Sequence, residues 1–370
     1  MRENVVALQR DDGAKVCAVV KADGYGHGAV ACAKAALSAG ATWLAVALVE
    51  EAQVLRDAGI TSPILLLSEP PSGAAEAILD LRITPFVYTS AFVQALQQAA
   101  LARDVTVDVH VKIDTGMGRV GVTPDVLGAF VHILEGLDRV HVDGVGTHLA
   151  RADEDVLEAV AETHRQIDMF GSCMEMLAQA GIRPSFVHAA NTAGALRYAK
   201  ARNLNFPGVD TTTLLRCGIG MYGLSPSGDV AAAKQGLKPA LTVTSSVSFV
   251  KQVAKGTPVS YGHRWRAPHD GYVATVPIGY ADGVPRALTN VGAVFVGGRK
   301  APIVGTVTMD QLLVFLADMP VEVGEPVTLI GHTAGEELLQ VEDWADAAGT
   351  ITYEITSRLT ARLPRQYLSD

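Results

Sequence analysis

Over roughly the first 225 residues, short apolar runs of β type alternate with longer alanine-rich stretches whose apolar residues recur at helical spacing. That alternation predicts parallel β/α units. The predicted strands are residues 15–20, 42–47, 63–67, 83–87, 106–113, 141–147, 186–190 and 212–216. Eight is the number that closes a (β/α)8 barrel. A doubly wound open sheet is the alternative, but it places a glycine-rich fingerprint after an early strand, and Gly24, Gly26 and Gly28 do not fit G-x-G-x-x-G. Segments such as 27–39 and 155–180 carry the helical pattern, and Gly40, Gly59 and Gly181 stand where a helix would stop.

After Ser225 the texture changes. A stretch rich in Pro, Ser, Gly and Asp precedes alternating segments at 241–250, 272–278 and 326–329, separated by glycine and proline turns. The reading is therefore α/β: an N-terminal barrel over 1–228 and a mostly β C-terminal domain over 229–370. A chain of 370 residues, 49% of them apolar, has core enough for two domains.

Composition removes several partners. A net charge of −9 without a cluster of Lys and Arg argues against nucleic acid and acidic membranes. The apolar runs are too short to span a bilayer, and residues 1–11 lack the positive end and apolar run of a secretory signal. Cys17, Cys32, Cys173 and Cys217 are scattered, without the spacing of a zinc site, which suits reduced thiols in a cytoplasmic enzyme and no metal.

In such a barrel, reactive groups lie at the carboxyl ends of the strands. Those ends carry Lys21, Lys112 and Asp114, His148, Asn191 and Thr192, and Arg216 followed by Gly218. A lysine at a buried strand end loses hydration, which lowers its pKa and frees the neutral amine as a nucleophile, a base or a Schiff-base partner. Position alone equally allows a solvated rim residue.

The neighbouring residues decide between these readings. Ala18-Val-Val-Lys-Ala-Asp-Gly-Tyr-Gly-His-Gly28 closely resembles the pyridoxal-phosphate attachment motif of the alanine racemase family. Seven further blocks follow in the family's order. They are His110 to Gly121, Gly146-Thr-His148, His188-Ala-Ala-Asn-Thr192, Arg216 to Leu224, Val259-Ser-Tyr-Gly262, Ile278 to Gly283 and Met309-Asp-Gln311, so the resemblance spans both domains.

The resemblance implies a cytoplasmic homodimer with shared active sites that interconverts L-alanine and D-alanine by two-base proton transfer on an external aldimine of pyridoxal 5'-phosphate. D-Alanine for peptidoglycan is the implied product in a bacterium. Lys21 would hold the cofactor and act on one face of the substrate, and Tyr261 of the partner's β domain would act on the other. Two faces are needed because one base would return the original hand. A phenol with a pKa near about 10 is a poor base, so neighbours must lower it or share its proton. Arg216 would face the pyridine nitrogen and keep it unprotonated, which weakens the electron sink and discourages transamination. His148 would bond to that arginine. Tyr25, Thr192 and the backbone amides of Gly218 and Ile219 would hold the phosphate, with Asn191 close by. Arg119 would approach the cofactor and the substrate carboxylate, oriented by Lys112, either carbamylated or beside a bound chloride. Met309 would offer its backbone amide to the carboxylate, Tyr280 would line the entrance, and Asp310 would support that region.

The pattern departs from the family in places. The first residues match the family's first barrel helix, so the preceding strand is expected to be absent, which would expose a sheet edge and lower dimer stability. Ala361 stands where many relatives have a tyrosine, and Ser357 and Thr308 replace frequent cysteines, which bears on the shape of the gate. Three alternatives remain beside the main reading. One is a racemase of broader specificity, since one or two methylenes discriminate by only about 1–3 kcal/mol. The others are a cofactor-binding barrel without catalysis, which would lack the β domain and its tyrosine, and a decarboxylase, which would pair the pyridine nitrogen with a carboxylate where Arg216 stands.

Overall fold

The computed structural model describes residues 1–10, 12–206, 209–317, 321–335 and 337–368. Eight parallel strands close on themselves in chain order: β1 (Lys15–Val19), β2 (Trp43–Val46), β3 (Ile64–Leu66), β4 (Thr84–Val87), β5 (Val107–Lys112), β6 (Val140–Gly146), β7 (Phe186–His188) and β8 (Thr212–Cys217). Every residue of β2 and β3, and of β1 after Lys15, is buried. Strands covered on both faces lose the apolar–polar alternation, which is why these read as continuous apolar runs. Closure comes from β1 against β8, with Lys15 opposite Leu214 and Cys17 opposite Arg216.

The helices of this unit are α1 (Arg2–Gln9), α2 (Ala29–Ser38), α3 (Val49–Asp57), α4 (Ala75–Asp80), α5 (Ser90–Ala102), α6 (Leu127–Glu135), α7 (Leu157–Gln179), α8 (Thr192–Arg197) and α9 (Ala199–Arg202). In α2 the buried residues are Ala29, Cys32, Ala33 and Ala36, one stripe at helical spacing. The same spacing runs through α7 from Ala159 to Leu177. The expected helical segments 27–39 and 155–180 each shorten at both ends, the first because Gly28 sits at φ 98°, outside any helix.

The compact unit built on the barrel comprises Met1–Gly24 and Gly28–Lys238. Residues 229–238 are bound to the barrel unit by specific contacts. The Asn4 carboxamide donates to the carbonyls of Met221 (3.0 Å) and Lys238 (2.8 Å) and accepts from the Lys238 amide (2.8 Å). Asp229 accepts from the Asp155 amide, and Val230 and Leu237 are buried.

The second unit comprises the chain from Pro239 onward together with Tyr25–His27. Its strands are β9 (Val243–Ser246), β10 (Phe249–Val253), β11 (Pro258–Val259), β12 (Trp265–Arg266), β13 (Gly271–Val276), β14 (Ala293–Val296), β15 (Arg299–Pro302), β16 (Leu312–Leu316), β17 (Pro326–His332) and β18 (Leu338–Leu339), followed by α10 (Val341–Ala348) and α11 (Thr352–Ser357). Antiparallel pairing gives the sheets β10-β13-β16 and β15-β14-β17-β18, with β9 added to β17, and the hairpin β11-β12. The single strand expected at 241–250 is two strands in different sheets, because the Val247 amide bonds to Glu325 and the Ser248 amide to Thr275. Val253, Val259, Ala267, Val273, Val304 and Phe315 form a core beneath β10, β13 and β16.

The segment Tyr25–His27 is held within this unit by backbone contact. A Cβ at Gly26 would collide with the Thr356 carbonyl, and Arg365 donates to the Gly26 carbonyl at 2.9 Å. All four cysteines are free and buried, and no helix among the described residues is long and apolar enough to cross a membrane.

Asn4→Ala removes three hydrogen bonds, one buried and two partly buried, at about 1 kcal/mol each and strands two carbonyls. The expected loss is about 2–4 kcal/mol, read from the urea midpoint, and an unchanged midpoint would show that residues 229–238 are not fixed by Asn4.

Candidate active site

Lys21 leaves the carboxyl end of β1 into a turn of the wrong hand. Ala22, Asp23, Gly24 and Tyr25 all have φ between 51° and 61°, the left-handed helical region, which disfavours side chains bearing a Cβ by about 1–2 kcal/mol per residue. Hydrogen bonds hold the barrel part of this turn. Glu51 Oε1 accepts from the Ala22 amide (2.6 Å), the Gly24 amide reaches the Val20 carbonyl (2.8 Å), and Asp23 Oδ1 accepts from the Ala29 amide (2.8 Å). Burial and the nearby Arg119 charge lower the pKa of the half-buried Lys21, and Glu51 opposes them weakly. The outcome is an amine biased toward its neutral, nucleophilic form.

Arg216, on β8, is buried in the barrel mouth. Its Nη1 donates to His188 Nδ1 (2.7 Å) and the His188 carbonyl (3.1 Å), and its Nη2 to the carbonyls of Thr147 (2.6 Å) and Ala189 (3.2 Å) and to His148 Nδ1 (3.2 Å). No described residue accepts from its Nε. Burial lowers its pKa to about 10, so it stays protonated at neutral pH. Because a guanidinium only donates, both imidazoles accept through Nδ1 and carry their protons on Nε2. His188 Nε2 then donates to His110 Nδ1 at 2.9 Å, which puts the His110 proton on a buried Nε2 without a partner among the described residues. Glycines on β6 make room for this pair. A Cβ at Gly144 would lie 2.5 Å from the His110 ring, and one at Gly146 would lie 2.8 Å from that of His188. Burial first and Arg216 second push His148, His188 and His110 below the usual imidazole range, His110 to about 3.

Lys112 ends β5, buried, with Nζ 4.6 Å from the centre of the Phe86 ring. No carboxylate among the described residues pairs with it. Burial, then Arg216 and Arg119, holds its pKa well below the ordinary lysine value. The following loop is folded around Asp114, whose Oδ1 accepts from the amides of Gly116, Met117 and Gly118, and it carries Arg119 at the surface.

Between β7 and β8, Thr192 Oγ1 accepts from the amides of Gly218 (3.1 Å) and Gly220 (3.4 Å). The Gly218 amide expected for a phosphate is thus engaged inside the protein, and the donors left are the Thr192 hydroxyl and the Ile219 amide, which bonds to no described residue. A Cβ at Gly220 would lie 2.6 Å from Thr192 Cγ2, so glycine keeps this cradle open. Asn191 caps α8 by accepting from the Gly194 amide and donates to the Leu149 carbonyl, so its carboxamide serves the scaffold.

In the second unit, Tyr261, Tyr280 and Met309 are 74%, 40% and 52% exposed. The Tyr280 amide donates to Thr308 and the Ala281 amide to Met309, which locks two loops together. The Met309 amide is left without a described acceptor. Asp310 pairs with Arg362, which also reaches the buried Asp282. The Tyr25 ring lies 6.0 Å from that of Tyr353.

His110 and His188 join the site although no motif role falls to either; the sequence signal for them is a histidine inside an apolar barrel strand, with glycines at 144 and 146 on the strand between.

A (β/α)8 barrel with a lysine after its first strand, a buried arginine in its eighth and a following β unit defines a pyridoxal-phosphate-dependent amino-acid racemase, an isomerase. The family models for the alanine racemase N-terminal and C-terminal domains match residues 1–226 and 240–367. Alanine racemase from Symbiobacterium thermophilum is 42% identical, over 99% of this chain and 94% of that protein. The crystal structure of alanine racemase from D-cycloserine-producing Streptomyces lavendulae superposes with a TM-score of 0.91 at 36% identity, covering 100% of this chain and 94% of that one. The Bacillus anthracis alanine racemase structure, with bound L-Ala-P, gives a TM-score of 0.88 at 36% identity, covering 100% and 92%. The chain belongs to the alanine racemase family.

His110 ties stability to pH. Its folded pKa is depressed, so its contribution is complete above the unfolded value near about 6.5 and is lost as pH falls toward 3, where only the unfolded chain takes the proton. His110→Gln keeps an acceptor for His188 and cannot titrate. Between pH 7 and pH 5 it should lose about 2 kcal/mol less than the unaltered protein in urea unfolding. Identical losses would mean that folded His110 is charged.

Proposed function

We propose that the protein interconverts L-alanine and D-alanine with pyridoxal phosphate, Lys21 serving one face of the substrate and Tyr261 of a partner subunit the other. The observation that carries this is the charge of the barrel mouth. Lys21, Lys112, Arg119 and Arg216 gather there, two amines and three imidazoles are pushed toward neutrality, and no carboxylate among the described residues pairs with Lys112 or Arg216. Such a mouth fits a ligand that brings its own negative charge, as a phosphate and a substrate carboxylate do.

The donor set fits the cofactor. Lys21 offers an amine for its aldehyde, Arg216 Nε is a donor without an acceptor among the described residues, and the Thr192 hydroxyl and Ile219 amide line a cradle that a Cβ at Gly220 would fill. Tyr25 is assigned to the phosphate as well. When bound, pyridoxal phosphate supplies a conjugated ring that spreads negative charge from the substrate Cα, which makes the Cα proton removable.

The remaining work falls to the chain. Arg216, protonated at neutral pH, donates to the ring nitrogen and withholds a proton from it, which limits the sink and favours returning the Cα proton. Lys21, its pKa lowered by burial and by Arg119, would exchange the Cα proton on one face, and the partner's phenol would exchange a proton on the opposite face, which inverts the centre. Arg119 orients the carboxylate with the Met309 amide of the partner subunit, and Tyr280 lines the entrance. Burial holds the pKa of Lys112 well below the ordinary lysine value, which favours the amine form that adds carbon dioxide; the carbamate is an anion that would steady Arg119, a role a bound chloride would also fill. The L-Ala-P bound by the B. anthracis relative supports alanine as substrate. D-Alanine supply for peptidoglycan in the cytoplasm is the corresponding role.

Purified protein should show the absorbance of an imine-linked cofactor, and borohydride should fix it to the peptide containing Lys21. Attachment elsewhere would remove Lys21 from its role. Tyr261→Phe should keep that absorbance and lose most turnover. Mixing inactive Lys21→Ala and Tyr261→Phe subunits should restore about a quarter of normal activity, since half the dimers are mixed and each has one intact site. No recovery on subunit exchange would mean that both groups come from one chain.

A further inference from the structure

The backbone just before Tyr261 is in a conformation that serine normally avoids. Ser260 has φ 63° and ψ −177°, a region open essentially to glycine alone and costing other residues on the order of 1–3 kcal/mol. Gly262 (φ 70°) and His263 (φ 45°) continue the irregular turn.

Two reciprocal hydrogen bonds hold this strained residue. Ser260 Oγ donates to the Thr306 carbonyl at 2.8 Å, and Thr306 Oγ1 donates back to the Tyr261 carbonyl at 3.0 Å. Thr306 is buried. The two segments approach so closely that a Cβ at Gly305 would lie 2.6 Å from Ser260 Cβ, and Gly305 has φ 72°. Gly305 is itself fixed, its amide donating to Asn290 Oδ1 at 2.6 Å, and the Val307 amide is anchored by Thr289 Oγ1 at 3.1 Å. The Tyr261 side chain, by contrast, is largely exposed, and no described residue bonds to its hydroxyl. Within its own subunit, its direction is set from the backbone end, through two side-chain torsions.

We propose that Ser260 and Thr306 are positioning residues, a clamp that aims the Tyr261 phenol at the substrate face it serves; this rests on the role given to Tyr261 above. A glycine at 260 would adopt the same φ without strain, but it has no hydroxyl to hold the turn against Thr306. The serine trades local stability for a fixed direction of the phenol. A displacement on the order of 1 Å at a reacting group lowers turnover by about a hundredfold, so small slack at residue 260 has a large effect.

The test uses holoenzyme carrying Ser260→Gly, Thr306→Val, Thr306→Ser or Tyr261→Phe. Ser260→Gly is expected to melt no lower than the unaltered enzyme, because strain is relieved, while amides in the turn around Tyr261 exchange hydrogen about tenfold faster. Its kcat should fall about tenfold or more with KM little changed. The Cα-deuterium isotope effect should rise for one alanine enantiomer only, the one whose Cα hydrogen faces the phenol. Thr306→Val should repeat the loss and Thr306→Ser should restore kcat. If Ser260→Gly keeps its kcat, isotope effects and exchange rates while Tyr261→Phe is inactive, the clamp is overturned and the role of Tyr261 stands. If Tyr261→Phe turns over normally, the role of Tyr261 fails first and the clamp falls with it.

Discussion

Arg216 brings a full positive charge into a largely apolar barrel, and the mouth is organised around satisfying it. A lone guanidinium taken out of water would be prohibitively unfavourable. Here the carbonyls of Thr147, His188 and Ala189 and two imidazoles accept its hydrogen bonds. That solution imposes conditions in turn. His188 and His148 must be uncharged and must present Nδ1, His110 must follow the same tautomer, and β6 must carry glycine at 144 and 146 to leave space for the rings. The field of the buried charge also reaches Lys112, helping hold its pKa below the ordinary lysine value. One interaction thus fixes a row of protonation states across three adjacent strands.

Much of this was legible in the sequence because barrel geometry converts order along the chain into position at the mouth. All eight strands fall where the apolar runs place them, and Lys21, Lys112, Arg216 and Thr192 stand at or just past strand ends. What escaped sequence reading depends on contacts between distant segments. Glu51 is an ordinary helix residue until its carboxylate is seen holding the Ala22 amide. The Gly218 amide looks available until Thr192 accepts from it. Lys238 looks like a linker residue until Asn4 is seen reaching across the fold to bind it. Periodicity reports which face of an element is buried; it does not report which hydrogen bonds close between elements.

Backbone strain is concentrated beside the two candidate bases. Ala22, Asp23 and Tyr25 follow Lys21, Ser260 precedes Tyr261 and His263 lies two residues beyond it, all non-glycine residues at positive φ. Strain of this kind persists only where surrounding contacts over-determine the chain, and it is characteristic of sites that must hold a reactive group in one attitude. The two groups are nevertheless held differently. Lys21 is half-buried among charges, whereas Tyr261 stands out into solvent on an anchored turn.

The left-handed turn after Lys21 has a consequence for where the lysine's geometry comes from. A free peptide of this sequence would relax toward ordinary right-handed or extended conformations, because mirror-image backbone is uphill for residues of the natural hand. The attitude of the ammonium group is therefore a property of the assembled barrel, conferred by a carboxylate 30 residues downstream. Transplanting the eleven-residue motif to another scaffold would carry its letters and leave its shape behind.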